Sequence, residues 1–295
     1  MPELPDVTLY VEHLERRLIG QPLERVRIVG LNLLRTFEPS PDDAIGHPVR
    51  DVRRLGKRIV IGFEGGLFFV LHLMIAGRLH WKERGASAAG KLGLAAFDFP
   101  HGTLTWTEAG TKKRAGLWVV DGEPGVHALD PGGIEPLSAS LSAFREALTR
   151  ENHTVKRALT DPHFFSGIGN AYSDEILHRA KMSPLAMTSR LGAEEVKRLH
   201  AAVRTVLVEW TDRLRAEFGD DFPEKVTAFR PEMAVHGKFR QPCPVCGAPV
   251  QRIVYASNET NYCARCQTGG RLLADRSLSR LLKADWPKTL EELED

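Results

Sequence analysis

The sequence has no long apolar segment. No run of eighteen apolar residues occurs in the chain of 295, and this excludes a transmembrane helix, which needs about 20. The first residues also lack the basic segment followed by an apolar one that marks a secretory signal,. We therefore expect a cytosolic protein, and the length is sufficient for two domains.

Neither sign of charge is in large excess. The chain has 40 Lys and Arg, 38 Asp and Glu, and a formal net charge of +2, so its total charge does not indicate a polyanionic partner. The basic residues are nevertheless clustered. Residues 50–58 (RDVRRLGKR) hold five of them with one acid, and residues 230–271 hold six with two acids. Such clusters are usually solvated surface, but several in one chain predict a polyanion as partner.

Cysteine is scarce and confined to one place. The four cysteines form two Cys-x-x-Cys pairs, Cys243 with Cys246 and Cys263 with Cys266, separated by sixteen residues. Two such pairs complete a tetrahedral four-thiolate shell for Zn²⁺, and a closed shell indicates a structural metal. A redox dithiol is the alternative, but it needs only one pair.

Apolar periodicity predicts a β-rich first part and a helical second part. Residues 4–20 predict an amphipathic helix with Gly20 at its end, and the short apolar runs between about residues 26 and 120 predict strands,. The segment 121–137 is dense in glycine and proline and predicts an interdomain linker. Helices are predicted over 141–150 and 193–214,.

A glycine-rich turn precedes a further predicted helix at residues 167–172, GIGNAY. Backbone N–H groups at the positive end of a helix can bind phosphate, and Asn170 could add a side-chain donor. A plain turn is the commoner structure for such a pattern.

The amino terminus reads MPELPDV. Removal of Met1 would leave a secondary amine at Pro2, and an α-amino group has a pKa near about 7.7–8.0. Such an amine can attack a carbonyl-like carbon and form a Schiff base, with Glu3 as a nearby proton donor or acceptor. Taken alone, the prolines and Glu3 could equally prepare the start of a helix.

These patterns together resemble the formamidopyrimidine-DNA glycosylase and endonuclease VIII family. PELPDV, GIGNAYSDE and the four cysteines carry the resemblance, and GKR at 56–58 and HLMIAGRL at 72–79 fit the same alignment. The family implies a multidomain α+β fold with an N-terminal β-sandwich and a flanking helix, a helix–two-turn–helix domain, and a C-terminal zinc-finger β-hairpin.

The resemblance also implies domain boundaries. It predicts a catalytic β-sandwich domain at 1–125, a linker at 126–137, a DNA-binding helical domain at 138–232, the zinc finger at 233–270 and a C-terminal tail at 271–295.

Three residues correspond to the catalytic groups of the family. Pro2 matches the nucleophile that attacks the sugar C1′, and Glu3 matches the acid/base that moves protons during elimination. Lys57 matches the lysine that binds phosphate beside the lesion. The implied activity is that of a bifunctional DNA glycosylase and abasic-site lyase of base excision repair, which flips the damaged base out of the duplex.

Other residues correspond to DNA contacts or to supporting acids. Asn170 and Lys156 match phosphate contacts of the helix–two-turn–helix domain. Glu175 matches a buried structural carboxylate, and Asp6 stands where the family usually has a glutamate.

Two loops depart from the family pattern. The residue that fills the gap left by the flipped base would be Ile75, where the family has methionine. The usual RRFG wedge reads KRAG, so Lys113 and Arg114 keep cations. Ala115, however, cannot fill the base stack as phenylalanine would.

The zinc hairpin departs as well. Asn258 stands where the family usually has an arginine that clamps the phosphates. Asparagine can bind phosphate but brings no charge, which supplies much of the affinity for DNA. Arg252 is a nearby cation that could substitute.

The resemblance therefore implies one structural Zn²⁺, damaged DNA (most simply duplex) as partner, a monomer, and a cytoplasmic, nucleoid-associated location of the bacterial type. A non-catalytic damaged-DNA or abasic-site binding protein of the same fold is the alternative. An unrelated zinc-ribbon factor would leave the amino-terminal pattern unexplained.

Overall fold

The computed structural model describes residues 1–30, 32–88, 90–110, 112–226, 229–255, 258–282 and 286–294. Contacts divide the chain into two compact units, Met1–Pro131 with Trp210–Ala228, and Gly132–Glu209 with Phe229–Asp295. The finer boundaries expected from the sequence stay predictions. No helix within the described ranges is both long enough and apolar enough to cross a membrane.

The first unit is built from strands that form two sheets. In chain order the described strands are β1 Arg25–Ile28, β2 Val49–Leu55, β3 Arg58–Phe63, β4 Leu67–His72, β5 Gly77–Lys82, β6 Gly93–Phe99, β7 Gly102–Glu108 and β8 Gly116–Asp121. One sheet has the order β2-β3-β4-β8 and the other β1-β6-β7-β5, with antiparallel pairing throughout. Strands β3 and β4 form a hairpin, which ends at His72 ahead of a turn at residues 74–76.

The two sheets and the first helix share one apolar core. Phe69 of β4 contacts Phe97 of β6 with ring centroids 5.8 Å apart, and Trp106 of β7 is fully buried. Tyr10 and Leu14 of the helix α1 (Leu4–Leu18) join the same cluster. Each such side chain contributes about 1.5–3 kcal/mol by leaving water, so this core holds the helix that begins at the predicted active site.

A short helix lies where the sequence predicted only linker. Residues Gly122–His127 form α2 at the start of the segment 121–137. Val126 is buried in a cluster with Val60, Phe68 and Val70, on the outer side of β3 and β4. The start of the predicted linker thus forms a short helix, which the burial of Val126 anchors to the sheet,.

The second unit is helical and contains a β-hairpin, which short helices follow. Its described elements are α3 Leu141–Thr149, α4 Val155–Thr160, α5 Asn170–Arg179, most of α6 Ala193–Phe218, β9 Val250–Tyr255, β10 Asn258–Cys263, α7 Ala264–Thr268, α8 Arg276–Leu282 and α9 Glu291–Glu294. A single 3₁₀ turn occurs in this unit at Thr188–Arg190, and two occur in the first unit at Pro41–Ala44 and Gly90–Leu92. Ala256 and Ser257 of the predicted zinc-finger hairpin, and residues 283–285 of the predicted C-terminal tail, lie outside the described residues.

Side-chain caps explain where two of these helices begin. The Ser140 hydroxyl accepts a hydrogen bond from Ala143 N (3.2 Å), and the Thr154 hydroxyl accepts one from Arg157 N (3.3 Å). Each cap satisfies a backbone N–H that has no partner inside the helix. The cap at Thr154 places Lys156 in the first turn of α4.

Candidate active site and nucleic-acid interface

Two of the predicted catalytic residues, Pro2 and Glu3, lie at the start of α1. Pro2 is buried, and Glu3 is only 2% exposed. The backbone N–H of Glu3 donates to Asp6 Oδ2 (2.9 Å), and Asp6 is fully buried. The acid that is shortened relative to the family therefore caps the helix that carries Glu3, and this is a supporting contact.

Cations lie within electrostatic reach of this terminus. Burial lowers the pKa of the Met1 α-amino group below its ordinary value of 8.0; the charge of Glu3 opposes the shift, and that of Arg78 adds to it. Lys57 lies in the turn between β2 and β3. Burial lowers the pKa of Lys57, and the charge of Glu3 opposes this. The structure thus brings the amine, Glu3 and Lys57 together, and it adds Arg78, which the sequence analysis missed.

A neutral histidine lies beside Lys57. His72 pairs with Arg58 across β3 and β4, and its pKa is lowered to about 4 by burial and by the charges of Arg58 and Lys57. His72 is therefore uncharged at neutral pH. Its place next to GKR on the adjacent strand was the sequence signal that could have identified it.

Ile75 stands at the tip of the turn between β4 and β5 and is 61% exposed. The turn is tight, since Met74 has φ +55° and Gly77 N donates to Leu73 O (3.0 Å). Arg78 Nη1 donates to the carbonyls of Ile75 (3.2 Å) and Gly77 (2.6 Å). The side chain of Ile75 is thus exposed on a turn that is held by a backbone hydrogen bond and by the Arg78 guanidinium.

Gly77 leaves no room for a side chain in this turn. A Cβ at Gly77 would lie 2.2 Å from Leu73 O, a backbone atom. We expect Gly77→Ala to destabilise the first unit by about 1–3 kcal/mol, the usual range for forced overpacking, measured as a shift of its thermal transition. Gly110→Ala is the control, because neither glycine has a positive φ and a Cβ at Gly110 would lie at least 3.4 Å from its neighbours. An equal loss in both variants would show that the contact at Leu73 does not set the cost.

The KRAG segment is held by Glu108. The buried Glu108 carboxylate accepts from Arg114 N (3.0 Å) and Ala115 N (3.3 Å), and Lys113 Nζ donates to Glu108 O. Ala115 is 3% exposed, whereas the Arg114 side chain is exposed. Ala115 is therefore part of the core of the first unit, and Arg114 is the cation of this segment that faces solvent.

The second unit gathers the residues predicted to bind phosphate around α5. Asn170 Nδ2 donates to Glu259 O of the hairpin (2.8 Å). Lys156 Nζ donates to Asn170 O (2.8 Å) and to Asp174 Oδ1 (2.5 Å), and its side chain is 12% exposed. Both residues thus make internal contacts near the N-terminus of α5, which fix their positions.

Two acids of α5 hold the segment before the zinc finger. Glu175 accepts hydrogen bonds from the backbone N–H groups of Ala234 (2.8 Å), Val235 (2.9 Å) and His236 (3.0 Å). Asp174, which is fully buried, accepts from Lys156 and contacts His236 Nδ1 (2.7 Å). Asp174 was not predicted from the sequence, although its spacing of four from Asn170 places the two on one helix face.

Asn258 is exposed at the first position of β10, opposite Tyr255. Arg252, the proposed substitute cation, donates from Nη1 to Glu259 Oε2 (3.1 Å) and lies over the ring of Phe239 (4.3 Å from its centroid). Part of the charge of Arg252 is therefore balanced within the hairpin.

The four predicted metal ligands converge. The sulfur atoms of Cys243, Cys246, Cys263 and Cys266 all lie within 4.8 Å of one another. Cys246 Sγ is 3.4 Å from Cys263 Sγ and Cys243 Sγ is 3.9 Å from Cys266 Sγ, so these sulfurs are not in disulfides,. Four thiolates at these separations fit a tetrahedral Zn²⁺ with sulfur ligands at about 2.3 Å.

Comparison with known proteins agrees with this geometry. Three family models match: the formamidopyrimidine-DNA glycosylase N-terminal domain over residues 1–111, its H2TH domain over 133–213, and a zinc finger found in FPG and IleRS over 240–269. A formamidopyrimidine-DNA glycosylase of Heliobacterium modesticaldum is 31% identical over 281 residues, which cover 90% of this chain and 100% of that protein. The chain belongs to the formamidopyrimidine-DNA glycosylase family.

Other relatives of this Fpg-family chain include the formamidopyrimidine-DNA glycosylase of Geobacter metallireducens, 34% identical over 91% of this chain and 100% of that protein. An uncharacterized formamidopyrimidine-DNA glycosylase-like protein of Mycobacterium tuberculosis is 39% identical over 55% of this chain and 99% of its own length.

Solved structures show the same fold. The Lactococcus lactis Fpg in complex with DNA containing an abasic site has a TM-score of 0.78, 23% identity, and coverage of 90% of this chain and 99% of that one. MutM in complex with carbocyclic 8-oxo-G containing DNA has a TM-score of 0.78, 24% identity, and coverage of 90% and 100%. The predicted family and fold class are confirmed, and the zinc-finger model together with the clustered cysteines supports zinc binding.

Proposed function

We propose that the protein is a bifunctional DNA glycosylase and abasic-site lyase of base excision repair. The observation that carries the proposal is the grouping of the amino terminus, Glu3 and Lys57, with burial lowering the pKa of the Met1 α-amino group. Membership of the Fpg family supports DNA as the substrate, and the solved relatives bind DNA that contains damaged bases or abasic sites.

The first step uses the amine of Pro2 after Met1 has been removed. The environment that lowers the pKa of the present α-amino group would favour an unprotonated amine,. Its nitrogen attacks C1′ of the damaged nucleotide, the C1′–N glycosidic bond breaks, and the base leaves with a proton. Opening of the sugar ring then gives an iminium between Pro2 and C1′, for which Glu3 supplies the proton to the ring oxygen.

The second step breaks the strand. The iminium withdraws electrons from C2′, a proton is lost there, and the C3′–O bond breaks to release a phosphate terminus. A further elimination can break the bond to the 5′-phosphate. Water then hydrolyses the iminium and returns the free amine. Lys57 offers a positive charge for the phosphate beside the reacting sugar,.

The metal takes no part in these steps. One zinc ion held by the four cysteines would fix the hairpin on which Asn258 stands, since a closed thiolate shell leaves no position for substrate,. We further propose that the protein acts as a monomer in the cytoplasm, in association with the nucleoid.

Borohydride trapping tests the proposal. The protein is incubated with an abasic-site duplex and sodium borohydride, which reduces an iminium to a stable amine. We expect a covalent adduct on the peptide that begins with Pro2, and at least a tenfold lower yield for Pro2→Gly because the secondary amine is lost. Pro5→Ala changes the other proline of this segment but keeps the amine, so it should trap normally. Wild-type protein that binds this DNA without an adduct would refute the catalytic proposal.

The second candidate function is non-catalytic recognition of damaged or abasic DNA. Two observations favour it: Asn258 replaces a cation at the hairpin, and Ala115 is buried in the core and cannot enter a base stack. The trapping experiment separates the two candidates, because a binding protein forms a complex but no adduct.

A charge at position 258 should strengthen duplex binding. We expect Asn258→Arg to raise the affinity for duplex DNA. The slope of the logarithm of the binding constant against the logarithm of the salt concentration should steepen by about one, as for one added phosphate contact. Asn152→Arg, at another exposed position of the second unit, adds the same net charge as a control. Titration of a fluorescent abasic duplex at several salt concentrations measures both slopes. Identical slopes for the two variants would mean that the hairpin position has no contact with the DNA backbone.

A further inference from the structure

Helix α5 contacts the zinc module through one polar face. Asn170, Asp174 and His178 follow one another at a spacing of four residues and therefore lie in line along the helix,. Asn170 donates to the hairpin at Glu259 O, and Asp174 contacts His236 before the finger. His178 extends this line to the cysteines, and none of the functional assignments above uses it.

The contact of His178 is with a metal ligand. His178 Nε2 lies 3.3 Å from Cys243 Sγ, and the two residues are 7% and 2% exposed. A cysteine bound to zinc is a thiolate, which has no proton to donate. If the metal is present, the hydrogen must therefore stand on Nε2, and the bond runs from the imidazole N–H to the sulfur.

We propose that His178 is a positioning residue of the metal site, which donates Nε2–H to the Cys243 thiolate and slows release of the metal. Four thiolates around Zn²⁺ carry a net charge of −2, and Cys243 is almost fully excluded from water. A donor from the protein then replaces the solvation that the sulfur has lost. Groups that orient metal ligands from outside the coordination shell typically change metal affinity by about 10–100-fold.

The hydrogen bond also ties the metal to the helical part of its own unit. Cys263, which lies on β10, is held by Gln267, whose Nε2 donates to Met182 O (2.9 Å) just after α5. His178 provides the corresponding tie for the other Cys-x-x-Cys pair. This inference concerns retention of the metal and does not depend on the proposed reaction.

Metal release and a spectroscopic probe test the proposal together. The full-length protein is loaded with zinc, and the metal is captured by an excess of a chromophoric chelator. We expect release from His178→Phe to be at least about tenfold faster than from wild type, and His178→Gln, which keeps an N–H donor, to retain most of the wild-type rate. In the Co²⁺-loaded protein, loss of a hydrogen bond to sulfur should move the thiolate-to-metal charge-transfer band of His178→Phe to longer wavelength.

His200→Phe is the matched control, because His200 Nε2 contacts Ala139 O (3.0 Å) in the same unit and no cysteine. It should leave both the release rate and the spectrum unchanged. The proposal is overturned if His178→Phe releases the metal at the wild-type rate, or if it releases the metal faster while its charge-transfer band stays unshifted. It is also overturned if His178→Gln releases the metal as fast as His178→Phe does.

The wild-type protein provides a test that needs no variant. Should His178→Phe fail to fold, ¹¹³Cd is bound in place of zinc, and scalar coupling between the metal and the Nε2 proton of His178 is sought by NMR. Coupling across the N–H···S hydrogen bond supports the proposal, and its absence overturns it.

Discussion

Replacing Glu3 with glutamine is expected to lower the rate of strand cleavage at an abasic site by about 10²–10⁴-fold, the usual contribution of a general acid/base. Glutamine keeps the size of the side chain and an acceptor oxygen, but it cannot take up or supply the proton that ring opening and elimination require. Single-turnover cleavage of an abasic duplex measures this loss without knowledge of the preferred lesion.

Glu15→Gln is the matched control for this substitution, since Glu15 is an exposed acid on the same helix. It should cleave at the wild-type rate. A second consequence concerns Lys57, because the charge of Glu3 is what opposes the lowering of the Lys57 pKa by burial. The Lys57 pKa should therefore fall further in Glu3→Gln. A Glu3→Gln enzyme that cleaves at full rate would remove Glu3 from the mechanism.

The second large effect is expected at Glu175. Its carboxylate accepts three backbone N–H groups of residues 234–236, and hydrogen bonds to charged groups contribute about 1.5–3 kcal/mol each. We expect Glu175→Ala to destabilise the second unit by about 3–5 kcal/mol, because buried donors lose their partner. Glu175→Gln should cost less, since one oxygen remains to accept from two of the three.

Hydrogen exchange is the suitable measurement for Glu175. The amides of Ala234, Val235 and His236 should exchange fastest in Glu175→Ala, more slowly in Glu175→Gln and most slowly in the wild-type protein. Glu209→Gln is the control, because this carboxylate pairs with Arg179 at 2.8 Å on the surface, where ion pairs contribute about 0–1 kcal/mol. Equal protection in Glu175→Ala and wild type would show that the segment before the finger is held by other contacts.

The features that could be predicted from the sequence are those with local spacing. The two Cys-x-x-Cys pairs predict the thiolate cluster because each pair is a single turn. The apolar repeat of residues 4–20 predicts α1 because one helix face is buried, although the helix ends two residues earlier,. The family and its fold class also follow from motifs that are short and contiguous. Each of these depends on neighbours in the chain.

What could not be predicted depends on partners distant in the chain. The N–H groups bound by Glu175 are 59 to 61 residues away, and Cys243 is 65 residues from His178. Every residue except proline has a backbone N–H, so the sequence does not show which of them a buried carboxylate will bind. A histidine within a helix likewise gives no indication in the sequence of a distant cysteine partner. The helix α2 was missed because a glycine- and proline-rich composition outweighs the one valine that anchors it,.

The contacts of Asn170, Asp174 and His178 along one side of α5 also constrain insertions and deletions in this helix. One residue inserted in the middle of α5 would rotate everything after it by about 100°. His178 would then turn away from Cys243 while Asn170 kept its place on the hairpin. We therefore expect related proteins to keep the length of this helix of ten residues between Asn170 and His178.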